Sequence, residues 1–358
     1  MHPARWSRSV WLWLGVAVLG ASLPGHAVAV SVGRPASLDS QAGGYRPGVD
    51  YRVSGYRPKP VPARELPGYL DYVTPLSAPN IPVDSHGVAL ALNKRRKVYH
   101  PLVIARYGIT LLQSYRITQH KAYLDRVSTN ASFLLDHAVS RDGALYFPYR
   151  FTYALFGNRR DLMRAPWYSA MAQGAALTLF VRLYAATGDQ RWRAAADATF
   201  ATFRQRRSTR RPWVVFVRRW HNHRDLWLED YAKNPPMQVL SGHLDALFGV
   251  YEYAVATRKP AATTVFDGGA TTVRRELARF RVPGGISYYS LRVRVQDASY
   301  HCIHIGQLEL LARMTAVPWF ARAARRFAAD APQRCSQQRG PALRRAFPRH
   351  PLSRPGRH

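Results

Sequence analysis

Hydrophobic positions between residues 91 and 331 recur every three to four residues, the spacing that gathers them on one face of an α-helix. Leu102, Ala105, Ile109 and Leu112 mark a first helix. Leu124, Val127, Ala131, Leu134, Leu135 and Ala138 mark a second. Ser169–Thr187 is apolar on nearly every side, which predicts a buried third helix. Gly188 stops it, and Asp189 is placed to cap a fourth carrying Trp192, Ala196, Phe200 and Phe203. Further helices are predicted over 237–256, 268–281, 301–314 and 317–329. About eight helices in this order pair most readily as antiparallel hairpins. Tyr123–Leu135, Trp192–Phe203 and Trp319–Phe327 each open on an aromatic residue and carry a later Phe, as equivalent helices of a repeated hairpin would. Strand-like pieces at Leu145–Tyr153, Trp213–Arg218 and Ile286–Val295 interrupt the helices. Insertions of this kind gather on one face of a helical toroid and build its site.

Outside that region the pattern changes. Residues 1–29 have a positive start at Arg5 and Arg8, a short apolar stretch from Val10 to Leu19 and small residues at Ala27-Val28-Ala29, the layout of a secretory signal peptide. The apolar run is too short for a lasting membrane anchor, so no stable span is expected after cleavage, and the mature chain is expected to be secreted, periplasmic or in the cell envelope. Residues 30–90 are rich in Pro, Gly, Ser and Tyr and have no helical period, so they read as an extended arm able to wrap the body. Residues 332–358 are basic and lack any apolar period, which predicts a disordered tail. After export Cys302 and Cys335 could pair, but the position of Cys335 in that tail weighs against it.

Charge narrows the partner. The 358 residues carry 52 Lys plus Arg against 21 Asp plus Glu, a formal net charge of +31, and all but six of those cations are Arg. Arg reads planar oxyanions with a two-pronged fork, and the sugar faces of a glycan lie well on Tyr and Trp. An exported basic body therefore suits an acidic polysaccharide better than nucleic acid, for which no helix-turn-helix, zinc-finger or RNA-binding signature is present.

Four segments are polar and aromatic where a plain helical core would be apolar. They are Tyr99–Gly108, Pro166–Gly174, Trp227–Tyr231 leading into Val239–Gly242, and Tyr288–Arg292 followed by Tyr300–Leu308. Their Pro-x-x-Ile-Ala-x-Tyr-Gly, Trp-Tyr-Ser-Ala-Met-Ala-Gln-Gly and Tyr-His-x-x-His-Ile-x-Gln-Leu runs resemble, in order and separation, the D-glucuronyl C5-epimerase C-terminal domain family. The resemblance covers residues 90–330. It implies an all-α fold, an (α/α) barrel or toroid of helical hairpins with short β-hairpin insertions, in a catalytic domain spanning 91–331. It also implies epimerisation of D-glucuronate to L-iduronate within a heparosan- or heparan-like polymer.

Carried over residue by residue, Tyr231 takes the place of the tyrosine in the family's Glu-Tyr motif, with Asp230 standing for the Glu. Tyr289 and Arg292 match a Tyr-x-x-Arg pair, and Tyr300 opens the Tyr-His motif. The residue types suit the reaction independently of the family. Moving a proton off and back onto the carbon beside a carboxylate needs a carrier on each ring face and a cation for the carboxylate. Tyrosine, with an unperturbed pKa of about 10, is a strong base once a neighbouring Arg helps ionise it. Tyr231 with Asp230 is assigned to one face and Tyr289 or Tyr300 to the other, Arg292 clamps the carboxylate, and His301, His304, Gln307, Gln173, Tyr168 and Arg106 bind or orient the substrate. His301 and His304 lie one helical turn apart, but no third ligand has helical spacing, so neither a metal nor a cofactor is expected. Two other readings stay open: an acidic polysaccharide lyase sharing the same C5 proton abstraction, and a non-catalytic glycan binder of the cell envelope.

Overall fold

The computed structural model describes residues 47–76, 81–93, 95–209, 212–220, 223–332 and 335. The signal peptide expected at 1–29, the beginning of the arm and all of the tail from 333 onward except Cys335 lie outside them. Among the described residues eight α-helices form four antiparallel hairpins: α1 (Pro101–Thr118) with α2 (Lys121–Asp136), α3 (Ala170–Thr187) with α4 (Gln190–Ala201), α5 (Leu240–Thr257) with α6 (Pro260–Glu276), and α7 (Ala298–Thr315) with α8 (Pro318–Asp330). The first helices of successive hairpins pack side by side, α1 on α3, α3 on α5 and α5 on α7. They form the inner layer of an α/α toroid, the all-α class that the sequence predicts.

Local chemistry explains the helix ends. Ser169, Asp189 and Asp297 cap α3, α4 and α7 with side-chain acceptors, and Pro stands in the first turn of α1, α6 and α8. Inner helices are apolar nearly all round because both faces are covered. The α3–α5 contact is especially close, since a Cβ added at Gly249 would stand 2.2 Å from the Gly174 carbonyl oxygen. The repeat predicted from Tyr123, Trp192 and Trp319 falls on α2, α4 and α8, all outer helices.

Three expectations need correction. Helix α6 starts at Pro260 rather than 268, because the β-branched run Thr263-Thr264-Val265 hides two helical turns. Ile286–Val295 is a looped segment held by isolated bridges, Val239 with Ser290 and Tyr288 with Gln296. Cys302 and Cys335 are joined in a disulfide, which ties the chain after α8 to α7.

The hairpin insertions are β1 (Ala91–Asn93) with β2 (Arg96–Val98), β3 (Val139–Arg141) with β4 (Ala144–Tyr146), β5 (Tyr153–Ala154) with β6 (Leu162–Met163), and β7 (Val215–Trp220) with β8 (His223–Leu228). Each precedes the start of an inner helix. Residues 51–56 lie across α6: the Ser54 and Gly55 amides donate to the Asp267 carboxylate at 2.8 and 2.9 Å, and Tyr51 fills the space that a side chain at Gly268 would occupy. That cover explains why α6, an outer helix, is mostly buried. No helix among the described residues is long and apolar enough to cross a membrane.

Candidate active site

The insertions enclose a cleft of about 100 Å3 where the inner helices begin. Its walls take Leu102 from α1, Met171 from α3, Ser241 from α5 and Tyr300 from α7, each within the opening turns of its helix. Four helix starts therefore surround the cleft; that of α7 is already met by the Asp297 carboxylate, while those of α1, α3 and α5 carry no acidic cap and favour a bound anion. Asp230 and Tyr231, placed by the chain leaving β8, line it together with Tyr289.

Three phenols converge there. The Tyr289 hydroxyl donates to that of Tyr231 at 3.2 Å, and the Tyr289 and Tyr300 rings meet edge-on with centroids 4.4 Å apart. Tyr231 stacks on Tyr153 at 6.3 Å and leans on Trp167 at 5.9 Å, and Trp167 in turn stacks on Tyr149 at 3.8 Å. Burial pushes Tyr231 and Tyr289 well above the ordinary tyrosine range, and the charge of Asp230 pushes them further; Tyr300 moves the same way for the same reasons. No Arg is among the main influences on the three phenols, so the sequence's expectation of an Arg-favoured tyrosinate does not hold. The resting phenols carry their protons.

Asp230 is the charged group at the centre. Its Oδ1 accepts from the Ser169 hydroxyl at 2.7 Å, and a Cβ at Gly242 would stand 2.7 Å from Oδ2, so only glycine lets the start of α5 come this close. Burial raises the carboxyl to about 6. Neighbouring Glu229, fully buried, is pushed by burial to about 8 and accepts the Tyr231 and Gln238 amides at 3.3 and 3.0 Å. At neutral pH Asp230 is thus ionised and Glu229 holds a proton.

Other sequence candidates fall elsewhere. Arg292 pairs with Asp161 at 3.1 Å, sharing that buried carboxylate with Lys233 at 2.9 Å, and does not line the cleft. An uncompensated charge on Asp161 is costly, and the pairing across 131 positions is invisible in sequence. His301 accepts the Ser287 amide through Nδ1 at 3.1 Å, and His304 Nδ1 contacts the Ser287 hydroxyl at 3.0 Å, so both hold the loop that carries Tyr289. Gln173 accepts the Phe147 amide and donates to the Leu145 carbonyl; Gln307 donates to Ser241 and Asp245. Arg106 pairs with Asp245 at 2.6 Å behind the cleft, where its charge favours the ionised form of Asp230. Tyr168 packs edge-on against Tyr146 outside the cleft lining. Among the described residues no group of three His, Cys, Asp or Glu is placed to hold a metal ion.

Sequence reasoning missed His100, Tyr149, Tyr153 and Phe156, all of which line the cleft. A signal was present: Tyr146-Phe147-Pro148-Tyr149-Arg150-Phe151-Thr152-Tyr153 packs five aromatics into one insertion, more than a strand's buried face needs.

Known proteins similar to this chain include sugar-modifying enzymes. A curated D-glucuronyl C5-epimerase of Caenorhabditis elegans is 23% identical over 172 residues, 43% of this chain and 27% of that protein. An uncharacterised protein of Methanocaldococcus jannaschii is 23% identical over 145 residues, 40% of this chain and 46% of that protein. The chain thus spans less than half the length of these relatives. Among solved structures, a cellobiose 2-epimerase from Bacillus thermoamylovorans superposes with a TM-score of 0.47 at 12% identity, covering 64% of this chain and 59% of the other. An unsaturated glucuronyl hydrolase from Bacillus sp. GL1 gives 0.44 at 14%, covering 64% and 61%. Residues 141–329, which hold every phenol of the cleft, match the family described as D-glucuronyl C5-epimerase C-terminus, and the chain belongs to that family.

Proposed function

We propose that this chain is an exported uronate C5-epimerase, converting D-glucuronate to L-iduronate residues within a heparosan- or heparan-like acidic polysaccharide. The observation that carries this reading is the meeting of one carboxylate and three phenols in a single cleft. Inversion at C5 needs one proton carrier empty and the other loaded. Ionised Asp230 is the empty carrier, and the protonated phenols are the loaded ones. Hydroxyls 3.2 Å apart cannot stand on opposite sides of a sugar ring, so Tyr231 and Tyr289 serve one face together. Tyr300 packs on Tyr289 with ring centroids 4.4 Å apart and belongs to the same cluster, so Asp230 removes the C5 proton on one face and a phenol of the cluster returns one on the other. The starts of α1, α3 and α5 steady the charge that develops on the uronate carboxylate.

Charge and covalent structure support the substrate and the compartment. Exposed Arg95, Arg96 and Lys97 lie on or beside β1 and β2, and exposed Arg159, Arg160 and Arg164 flank β6; both hairpins border the cleft. A polyanion fits such a rim. The Cys302–Cys335 disulfide suits an oxidising compartment beyond the cytoplasm.

Incubation with heparosan in deuterated water, followed by NMR, tests the proposal. Deuterium at C5 together with iduronate signals is the expected result. Shortened chains with an ultraviolet-absorbing unsaturated end identify a lyase instead, and glycan binding without exchange identifies a binder.

A further inference from the structure

A second cavity, of about 230 Å3, adjoins the phenolic cleft and shares two of its walls, Val98 and Phe151. One side of it is a stack of rings. Phe133 packs against Tyr99 with centroids 4.5 Å apart and against His137 at 3.9 Å, nearly parallel. Tyr99 is 44% exposed although it is a large ring, and its hydroxyl is fixed on Asp84 at 2.9 Å. The floor is aliphatic, from Ile104 and Leu134. Arg150, exposed at the edge, carries the one permanent charge among the lining residues.

We infer that this cavity is the subsite for the sugar bonded to the reacting uronate, and that the sugar it takes is uncharged. The inference rests on the cleft being the uronate site. A polymer that places one unit among the phenols and crosses Phe151 puts its neighbour in the second cavity, because the two spaces have that residue in common. A pyranose has a C–H-rich face that packs on aromatic rings and hydroxyl edges that take hydrogen bonds. The Tyr99–Phe133–His137 wall offers the first contact and Arg150 the second. A second uronate is disfavoured, because its carboxylate would lose water against Ile104 and Leu134 with a single guanidinium for compensation.

The test compares methyl β-D-glucuronide with a heparosan tetrasaccharide on the full chain, using dissociation constants and saturation-transfer NMR to find which sugar protons touch the protein. The wild type is expected to bind the tetrasaccharide about tenfold more tightly and to transfer saturation to the N-acetylhexosamine beside the uronate. Phe133→Ala, and separately Tyr99→Ala at a more exposed position, should remove most of that gain and weaken the tetrasaccharide far more than the methyl glycoside. Equal weakening of both ligands, an unchanged length gain, or no tetrasaccharide binding by the wild type overturns the subsite. Failure of the epimerase reading is separate: hexosamine contacts that persist with no C5 deuteration strike the chemistry and leave the subsite standing.

Discussion

Glu229 provides a sharp test of the electrostatics that set the charge on Asp230. It is fully buried, its two oxygens accept the Tyr231 and Gln238 amides, and burial pushes its carboxyl to about 8. Between the ordinary carboxyl value of 4.5 and about 8, the folded chain keeps a proton that the unfolded chain has released. Stability contributed by this group is therefore complete at low pH and is lost as pH rises through that window, by at most about 1.4 kcal/mol per unit and on the order of a few kcal/mol in all. Glu229→Gln removes the titration while keeping shape. It retains one acceptor oxygen where the carboxyl has two, a pH-independent handicap of about 1 kcal/mol. Buried His100, His243 and His304, lowered by burial to about 3, 4 and 3, give stability the opposite slope at acid pH. They are common to both proteins and cancel in the difference. Urea unfolding at about pH 5, 6.5 and 8 should show the variant slightly weaker than wild type at the lowest pH and stronger by a few kcal/mol at the highest. A difference that stays flat across the range would mean that Glu229 ionises as it does in the unfolded chain, and the charge assignment next to Asp230 would fall with it.

Exchange at C5 in deuterated water should rise with pH through an apparent value near 6, as Asp230 loses its proton, and Asp230→Asn should abolish it; full activity in that variant removes the carboxylate from the chemistry. Tyr289→Phe and Tyr300→Phe should each slow exchange by roughly a hundredfold or more while glycan retention on an affinity column stays nearly intact. Two fully active variants would show that the phenols only pack. Gly242→Ala puts a methyl 2.5 Å from the Asp230 Cβ and Gly249→Ala aims one at the Gly174 carbonyl, so each should cost about 1–3 kcal/mol in thermal unfolding, and the first should also slow exchange sharply in the protein that remains folded.

What the sequence revealed follows from which interactions are local. The helices were legible because burial, capping and glycine stops act over one or two turns: Gly188 and Asp189 end α3 and start α4 where expected. Tyr231, Tyr289 and Tyr300 were legible through motif order, and they share the cleft. The position of Arg292 was not, since its partner Asp161 is 131 positions away and the burial of that carboxylate is a property of the packed chain. His301 and His304 look like ligands at helical spacing, yet the loop at Ser287 engages the Nδ1 atom of each. Cys335 sits in a stretch with no apolar pattern, and a covalent bond to α7 needs none.

In the proposed reaction, the pairing of Arg292 with Asp161 outside the cleft lining changes where the uronate's charge must be met. A lone guanidinium beside the reacting carbon would favour tyrosinates, and then Asp230 would have no chemical task. Without it, burial keeps the phenols protonated and leaves Asp230, at about 6, as the group able to accept a proton at neutral pH. Two carboxylates side by side would suppress that ionisation, which is why it matters that Glu229 holds its proton. In the proposed reaction the substrate's own carboxylate brings a second negative charge, which the starts of α1, α3 and α5 around the cleft compensate. Basic side chains then belong on the surrounding hairpins, where they draw in a polyanion and leave the proton balance of the cleft undisturbed. Under the proposed reaction, the separation of attraction at the rim from proton transfer at the floor accounts for a chain so rich in arginine whose proposed reacting groups are a carboxylate and phenols.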